Sequence, residues 1–186
     1  LLIPIEVLGM FVRPFALMAR GLEVVRRYCA VSADEQILLE SPAAPIVILS
    51  ACGPERVAPG VAPAQRTLGF MLPYTPLHHL LLEGLERPIV LTSGNLSEEP
   101  QCTGNDEARD KLSAMADHLL MHDRIIVNRL DDSIVRELDG APRMLRRGRG
   151  YAPAPLPLPQ GFESSPPLLA MGGELNDMGM QGLNIE

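Results

Sequence analysis

A chain of 186 residues, 46% hydrophobic and 21% charged, carries enough apolar material for one domain with a true core and is short for two. Its net charge of −7 argues against a general nucleic-acid binder, and eighteen prolines with sixteen glycines exclude a helical bundle. Three isolated cysteines, Cys29, Cys52 and Cys102, have no C-x-x-C spacing, which excludes a disulfide framework or zinc ribbon and fits a reducing compartment.

In chain order, Pro14 to Ala19 reads as a short buried strand, followed by helices over Leu22 to Tyr28 and Ala33 to Leu39, the second with Ser32 as N-cap. Ser41-Pro42-Ala43-Ala44-Pro45 breaks the helix, Ile46 to Leu49 is an apolar strand, and Gly53 to Thr67 is loop. Leu68 to Pro73 is a further strand, and Pro76 to Leu82 a helix with Pro76 in its first turn. Arg87 to Thr92 is the central strand of the argument. Asn105 to Ala116 is a helix with Asn105 as candidate cap, and Leu119-Leu120-Met121 and Ile125-Ile126-Val127 are short strands. Ser133 to Arg136 and Pro142 to Arg146 are two arms around Leu138-Asp139-Gly140-Ala141. Tyr151 to Pro167 is a proline-rich extended linker. Strands alternating with helices, then several short strands, give an α/β class with a mixed, twisted sheet.

The most informative stretch is Leu91-Thr92-Ser93-Gly94-Asn95-Leu96, where an apolar strand stops abruptly in small polar residues. Open α/β sheets hold ligands at such strand ends, and Gly94 lets the backbone approach a phosphate or ribose. A polar turn with no ligand fits the same residues. Arg143, Arg146, Arg147 and Arg149 form a natural anion clamp, because guanidinium groups suit phosphate and carboxylate; a solvated basic stretch is the plainer account. Asp131 and Asp132 could hold Mg²⁺ through their carboxylates, or simply form a polar turn. His118 and His122 share a helical face at i,i+4 spacing but have no third ligand nearby. Lys111 is the sole lysine, so lysine-dependent chemistry is unavailable near Arg13. The methionines read as core filler.

Four segments in register carry a resemblance: Leu72-Pro73-Tyr74-Thr75-Pro76-Leu77-His78-His79, the Ser93-Gly94-Asn95 turn, Leu130-Asp131-Asp132-Ser133-Ile134-Val135-Arg136, and Leu145-Arg146-Arg147-Gly148-Arg149-Gly150-Tyr151-Ala152-Pro153. Together they resemble the YrdC-like domain of the HypF carbamoyltransferases, factors of hydrogenase maturation. The resemblance implies a mixed sheet open to a basic cavity, a YrdC-like domain over residues 1–159, a linker over 160–167 and, over 168–186, the start of an actin-like domain. It implies ATP and Mg²⁺ as cofactors and, as reaction, the joining of carbamate, derived from carbamoyl phosphate, to AMP with release of pyrophosphate. The product would pass to a cysteine-ended partner, HypE, in the cytoplasm, with no role for a membrane.

By the same resemblance Ser93 and Asn95 contact the nucleotide phosphates, helped by Thr92 and the Gly94 amide. Arg13 stands where a lysine is usual, Arg146 and Arg147 move toward the nucleotide with Arg149, and Asp132, Ser133 and Arg136 line the cavity. Tyr74 and His78 are family positions of less definite role. The chain departs from the pattern at Leu8 and Met10, where the family has a lysine–x–arginine pair, and the family's first strand and helix have no counterpart. These departures point to a central fragment whose activity alone is impaired. Two alternatives share the residues: a threonylcarbamoyl-AMP synthase acting in tRNA modification, and a non-catalytic nucleotide- or double-stranded-RNA-binding fragment.

Overall fold

The computed structural model describes residues 14–96, 99–157, 160–161, 169–170 and 181–182. Its strands and helices follow in the order β1 (Ala16–Met18), α1 (Leu22–Val25), α2 (Ala33–Leu39), β2 (Ile46–Ser50), β3 (Thr67–Met71), α3 (Pro76–Leu82), β4 (Ile89–Val90), α4 (Asn105–Leu112), β5 (Ile134–Leu138) and β6 (Ala141–Arg146). A two-residue antiparallel ladder joins β7 (Leu169–Ala170) to β8 (Gln181–Gly182). The other six strands form one mixed sheet in the order β4-β1-β3-β2-β5-β6. β1 runs parallel to β3, and β2 parallel to β5, while the remaining neighbours are antiparallel. The α/β class and mixed sheet expected from the alternation of elements are what the chain adopts.

The period-2 alternation of side chains sorts the sheet into two faces. Leu17, Phe70 and Val47 lie in register across three strands and pack, with Leu49 and Leu68, against Leu22, Val24 and Val25 of α1 and Leu39 of α2. Phe70 is fully buried beside Tyr28, ring centroids 6.2 Å apart. The opposite face carries Met18, Ile46 and Met71, capped by Leu82 of α3 and flanked by Ile89 and Ile134. Gly69 belongs to this face because an added Cβ would stand 2.9 Å from Cγ2 of Ile46.

Local chemistry accounts for the helix starts. Ser32 makes a capping box with Glu35: its hydroxyl accepts from Glu35 N at 3.1 Å, and the Glu35 carboxylate accepts from Ser32 N at 2.8 Å. Thr75 caps α3 by accepting from His78 N at 3.2 Å, with Pro76 opening the helix.

Four expectations are corrected. α1 ends at Val25, because Arg27 N and Tyr28 N turn to i−3 carbonyls and tighten the chain against Gly53, whose N donates to Tyr28 O at 2.8 Å. The Arg87–Thr92 strand reduces to Ile89–Val90 and forms a sheet edge. α4 is preceded by Gly104 without a side-chain cap and ends at Leu112; the Asn105 amide instead donates to His122 O at 2.7 Å. Residues 119–121 and 125–127 are not strands. An apolar triplet becomes a strand only with a ladder partner, and here Ile125 and Val127 remain 88% and 83% exposed. His118 and His122 therefore share no helical face. Apart from the β7–β8 ladder, the expectations for residues beyond 161 lie outside the described residues.

Candidate functional site

Strand directions decide where the nominated residues can meet. β2, β4 and β5 run the same way, so the Ser93–Asn95 turn projects from the same edge of the sheet as the β5–β6 hairpin. Tyr74, Asp132, Arg146 and Arg149 gather at the opposite edge, beside the end of β3 and the start of β5. The segment around Gln101 connects the two. Cys102 N donates to Gly94 O at 2.9 Å, and the Gln101 amide donates to Asp131 Oδ1 at 2.6 Å. Arg129 Nε fixes the same segment by donating to Gln101 O at 2.7 Å.

In the turn itself, Asn95 is the staple. Its Nδ2 donates to Leu96 O at 2.8 Å and Glu99 O at 2.9 Å, while Oδ1 accepts from the Ser93 hydroxyl at 2.5 Å. Thr92, Ser93 and Gly94 remain exposed. The turn thus presents one hydroxyl held in a fixed direction by an amide whose own donors are satisfied internally.

At the other edge, Arg149 is committed. Its Nε donates to Asp132 Oδ1 at 2.8 Å, Nη1 to Ala43 O at 3.2 Å and Nη2 to Ala44 O at 2.8 Å. Its guanidinium stands 3.5 Å from the Tyr74 ring centroid, a cation–π contact, and Tyr74 meets His78 edge-on at 4.4 Å. Arg147 donates to Tyr151 O at 2.7 Å and also to Ala154 O. Ser133 is fully buried, its hydroxyl donating to Arg149 O at 2.9 Å and accepting from Gly148 N at 2.8 Å. Gly148 is required there, since a Cβ would collide with Asp131 O.

Burial pushes the Tyr74 hydroxyl above its usual range, with the Asp132 charge adding to it. Burial also lowers His78, and the Arg149 charge lowers it further, so His78 is neutral near pH 7; its Nδ1 is buried with no partner among the described residues.

Arg146 keeps more freedom. Its Nε donates to Asp132 O at 2.8 Å, and Nη1 lies 3.8 Å from Asp131 Oδ2, with the side chain 39% exposed. Arg136 and Arg143 are cross-strand partners on one face of the β5–β6 hairpin, and among the described residues neither has a carboxylate within ion-pair distance. Like charges directly opposite disfavour pairing unless an anion lies between them. Sequence reasoning included Arg143 in a four-arginine clamp but missed its pairing with Arg136. The signal is Asp139–Gly140, both at positive φ, a two-residue turn that fixes the register.

Asp131 and Asp132 each hold an arginine or amide partner, and among the described residues no group of three His, Cys, Asp or Glu side chains could hold a metal. The residues present do not form a ready Mg²⁺ site. Arg13 lies outside the described residues. Two open clefts mark the surface, of about 490 Å³ beside Arg20, His79 and Glu83 and about 460 Å³ beside Pro42, Leu72 and Tyr74. Neither is lined by the Ser93–Asn95 turn or by Arg136, Arg143 and Arg146, so neither is the basic cavity expected from the resemblance.

A family model described as Telomere recombination, covering Sua5, YciO and YrdC proteins, matches residues 11–148. Carbamoyltransferase HypF of Rhodobacter capsulatus is 56% identical over 165 residues, covering 88% of this chain and 21% of that protein. The chain thus spans about a fifth of the length of this curated relative. Among solved structures, full-length HypF in its phosphate- and nucleotide-bound form superposes with a TM-score of 0.74 at 52% identity, over 77% of this chain and 22% of that one. Escherichia coli YciO superposes with a TM-score of 0.60 at 23% identity, over 74% of this chain and 66% of that one, a likeness of fold alone.

Proposed function

We propose, from the premise that the chain belongs to the Sua5/YciO/YrdC family, that it performs the carbamate-activating step of a HypF-type carbamoyltransferase. A carbamate oxygen bonds to the α-phosphorus of ATP, the bond from that phosphorus to the bridging oxygen breaks, and pyrophosphate leaves with the electron pair. The products are carbamoyl adenylate and pyrophosphate. Carbamoyl phosphate supplies the carbamate, and a cysteine-ended partner of the HypE kind receives the carbamoyl group. ATP and carbamoyl phosphate make the cytoplasm the compartment of the reaction. Among the described residues no helix is long and apolar enough to cross a membrane.

The observation that carries this reading is the 52% identical match to a HypF bound to phosphate and nucleotide. The chain's own residues support it. Adenylyl transfer depends on positioned charge more than on covalent help from the protein. In this reading Thr92 and the Gly94 amide donate to phosphate oxygens, and Ser93 joins them when its hydroxyl turns from Asn95 Oδ1 to the phosphate. Arg146, linked to the turn through the Gln101 segment, meets the polyphosphate, Arg136 and Arg143 add positive charge from the β5–β6 hairpin, and Arg13 adds charge from the residues before β1. Asp132, Ser133, Arg147 and Arg149 build the wall that carries Arg146, and Tyr74 and His78 pack behind Arg149.

Calorimetric titration of the purified chain with ATP in the presence of Mg²⁺ tests the site, with Ser93→Ala and Arg146→Ala alongside. Saturable binding that each substitution weakens by tenfold or more is expected. Pyrophosphate exchange into ATP that depends on carbamoyl phosphate then identifies the reaction. Exchange supported by threonine and bicarbonate instead would replace it with threonylcarbamoyl-AMP synthesis. A folded chain without nucleotide binding would overturn both.

A further inference from the structure

Cys29 and Cys52, unrelated by any spacing motif, lie on segments that run side by side. Ala30 N donates to Ser50 O at 3.3 Å, and Gly53 N donates to Tyr28 O at 2.8 Å. These bonds bracket Cys29 on one segment and Ala51 and Cys52 on the other. Two residues opposing one make this a β-bulge, and the regular non-hydrogen-bonded pair from which it departs has Cα atoms about 4.5 Å apart. That falls in the range of roughly 4.4–6.8 Å that a disulfide spans. Cys52 N also donates to Ser50 O at 3.0 Å, closing a three-residue turn over the extra residue Ala51, and Cys52 Sγ lies 3.6 Å from the same carbonyl. Gly53 shows how near the segments are: an added Cβ would lie 2.6 Å from the carbonyl carbon of Arg27. Cys29 is 2% exposed, whereas Cys52 is open to solvent.

We propose that Cys29 and Cys52 form a thiol–disulfide site, closed by a small-molecule disulfide of the oxidised-glutathione class. The exposed Cys52 thiolate attacks one sulfur of oxidised glutathione, forming a mixed disulfide, while the glutathione S–S bond breaks and one glutathione thiolate leaves. Cys29 then gives its proton to solvent and attacks Sγ of Cys52, expelling the second glutathione. Two cysteine thiols are oxidised, and one oxidised glutathione is reduced to two thiols. Burial holds the Cys29 thiol up to about 12, with the Cys52 charge adding to it, so the second step is slow and quickens as pH rises. Closure would pin the loop after Cys52, whose Val61 O accepts from Phe15 N at 2.9 Å at the start of β1. That is the sheet edge from which the Ser93–Asn95 turn projects.

The test is to treat the folded chain with oxidised glutathione at pH 8.5, then unfold it in urea while blocking every free thiol with N-ethylmaleimide, and digest without reduction. Trypsin leaves both cysteines on one peptide, Tyr28–Arg56, and cleavage after Glu35 and Glu40 separates them. The expected result is a Tyr28–Arg56 peptide lighter by two hydrogens, without maleimide, whose halves stay joined after glutamyl cleavage. It should form also in Cys102→Ser, and faster at pH 9.5 than at pH 8.5. Glutathione retained on Cys52 with maleimide on Cys29, or maleimide on both, in a chain of unchanged circular dichroism, would overturn the proposal. Cys52→Ser, in which Cys29 should take only maleimide, excludes direct attack at the buried thiol.

Discussion

Ser133→Ala tests whether the buried serine is part of the frame. The hydroxyl is fully enclosed and serves two backbone groups at once, accepting from Gly148 N and donating to Arg149 O. Alanine fills nearly the same volume, so no large cavity opens, but Gly148 N loses its partner in a buried place and Arg149 O loses one in a half-buried place. Each buried polar group left unpaired costs about 1–3 kcal/mol, so the loss should be at least about 1 kcal/mol, from Gly148 N, and at most about 6 kcal/mol if Arg149 O counts in full. In a chain of this length, each kcal/mol moves the melting midpoint by about 2–4 °C. Urea unfolding followed by far-ultraviolet circular dichroism should show a lower midpoint at unchanged slope, the signature of lost stability without a change in exposed area. A loss below about 0.5 kcal/mol would refute the argument, because it lies within the range of an ordinary surface substitution.

Gly148→Ala should be more damaging than Ser133→Ala, because its Cβ would meet the Asp131 carbonyl, which is backbone and cannot rotate away; a soluble variant of wild-type melting temperature would contradict this. Ser32→Ala should cost about 1 kcal/mol by removing the capping box of α2, read from the urea midpoint. Acid stability should follow His78. Its folded pKa is lowered below its unfolded value, so the unfolded chain binds the proton first. Stability from this group is complete above about pH 6.5 and falls as the pH drops below that value toward the folded pKa. His78→Gln should remove that part of the pH dependence, and a midpoint–pH profile identical to wild type would refute it.

Local signals were legible where they sufficed. Ser32 before Ala33–Leu39, Thr75-Pro76 before α3 and Asp139-Gly140 between β5 and β6 each name their structure by short-range chemistry, and the structure follows them. The apolar run Ile46–Leu49 reads as a strand because it is buried on both sides. The edge position of β4 and the failure of residues 119–127 to pair were not legible, since both depend on which distant strand is available. The candidate site divides the same way. Ser93, Asn95 and the arginines stand out by residue type. That Arg149 spends its donors on Ala43 and Ala44, while Arg136 and Arg143 keep theirs, follows from contacts remote in sequence or from register, which composition does not encode.

The sheet order also governs how the chain can emerge and fold. β2 lies between β3, which follows it soon, and β5, which arrives only after a long excursion through α3, β4 and α4. During synthesis, the flank of Val47 that awaits Val135 therefore stays unpaired while much of the polypeptide is still to be made. Non-local pairing of this kind slows folding and leaves a sticky strand edge open to other nascent chains. Truncations ending before Ile134 should accordingly be recovered as aggregates or with chaperones, and a cell making this protein depends on rapid completion of the β5–β6 hairpin to close its own sheet.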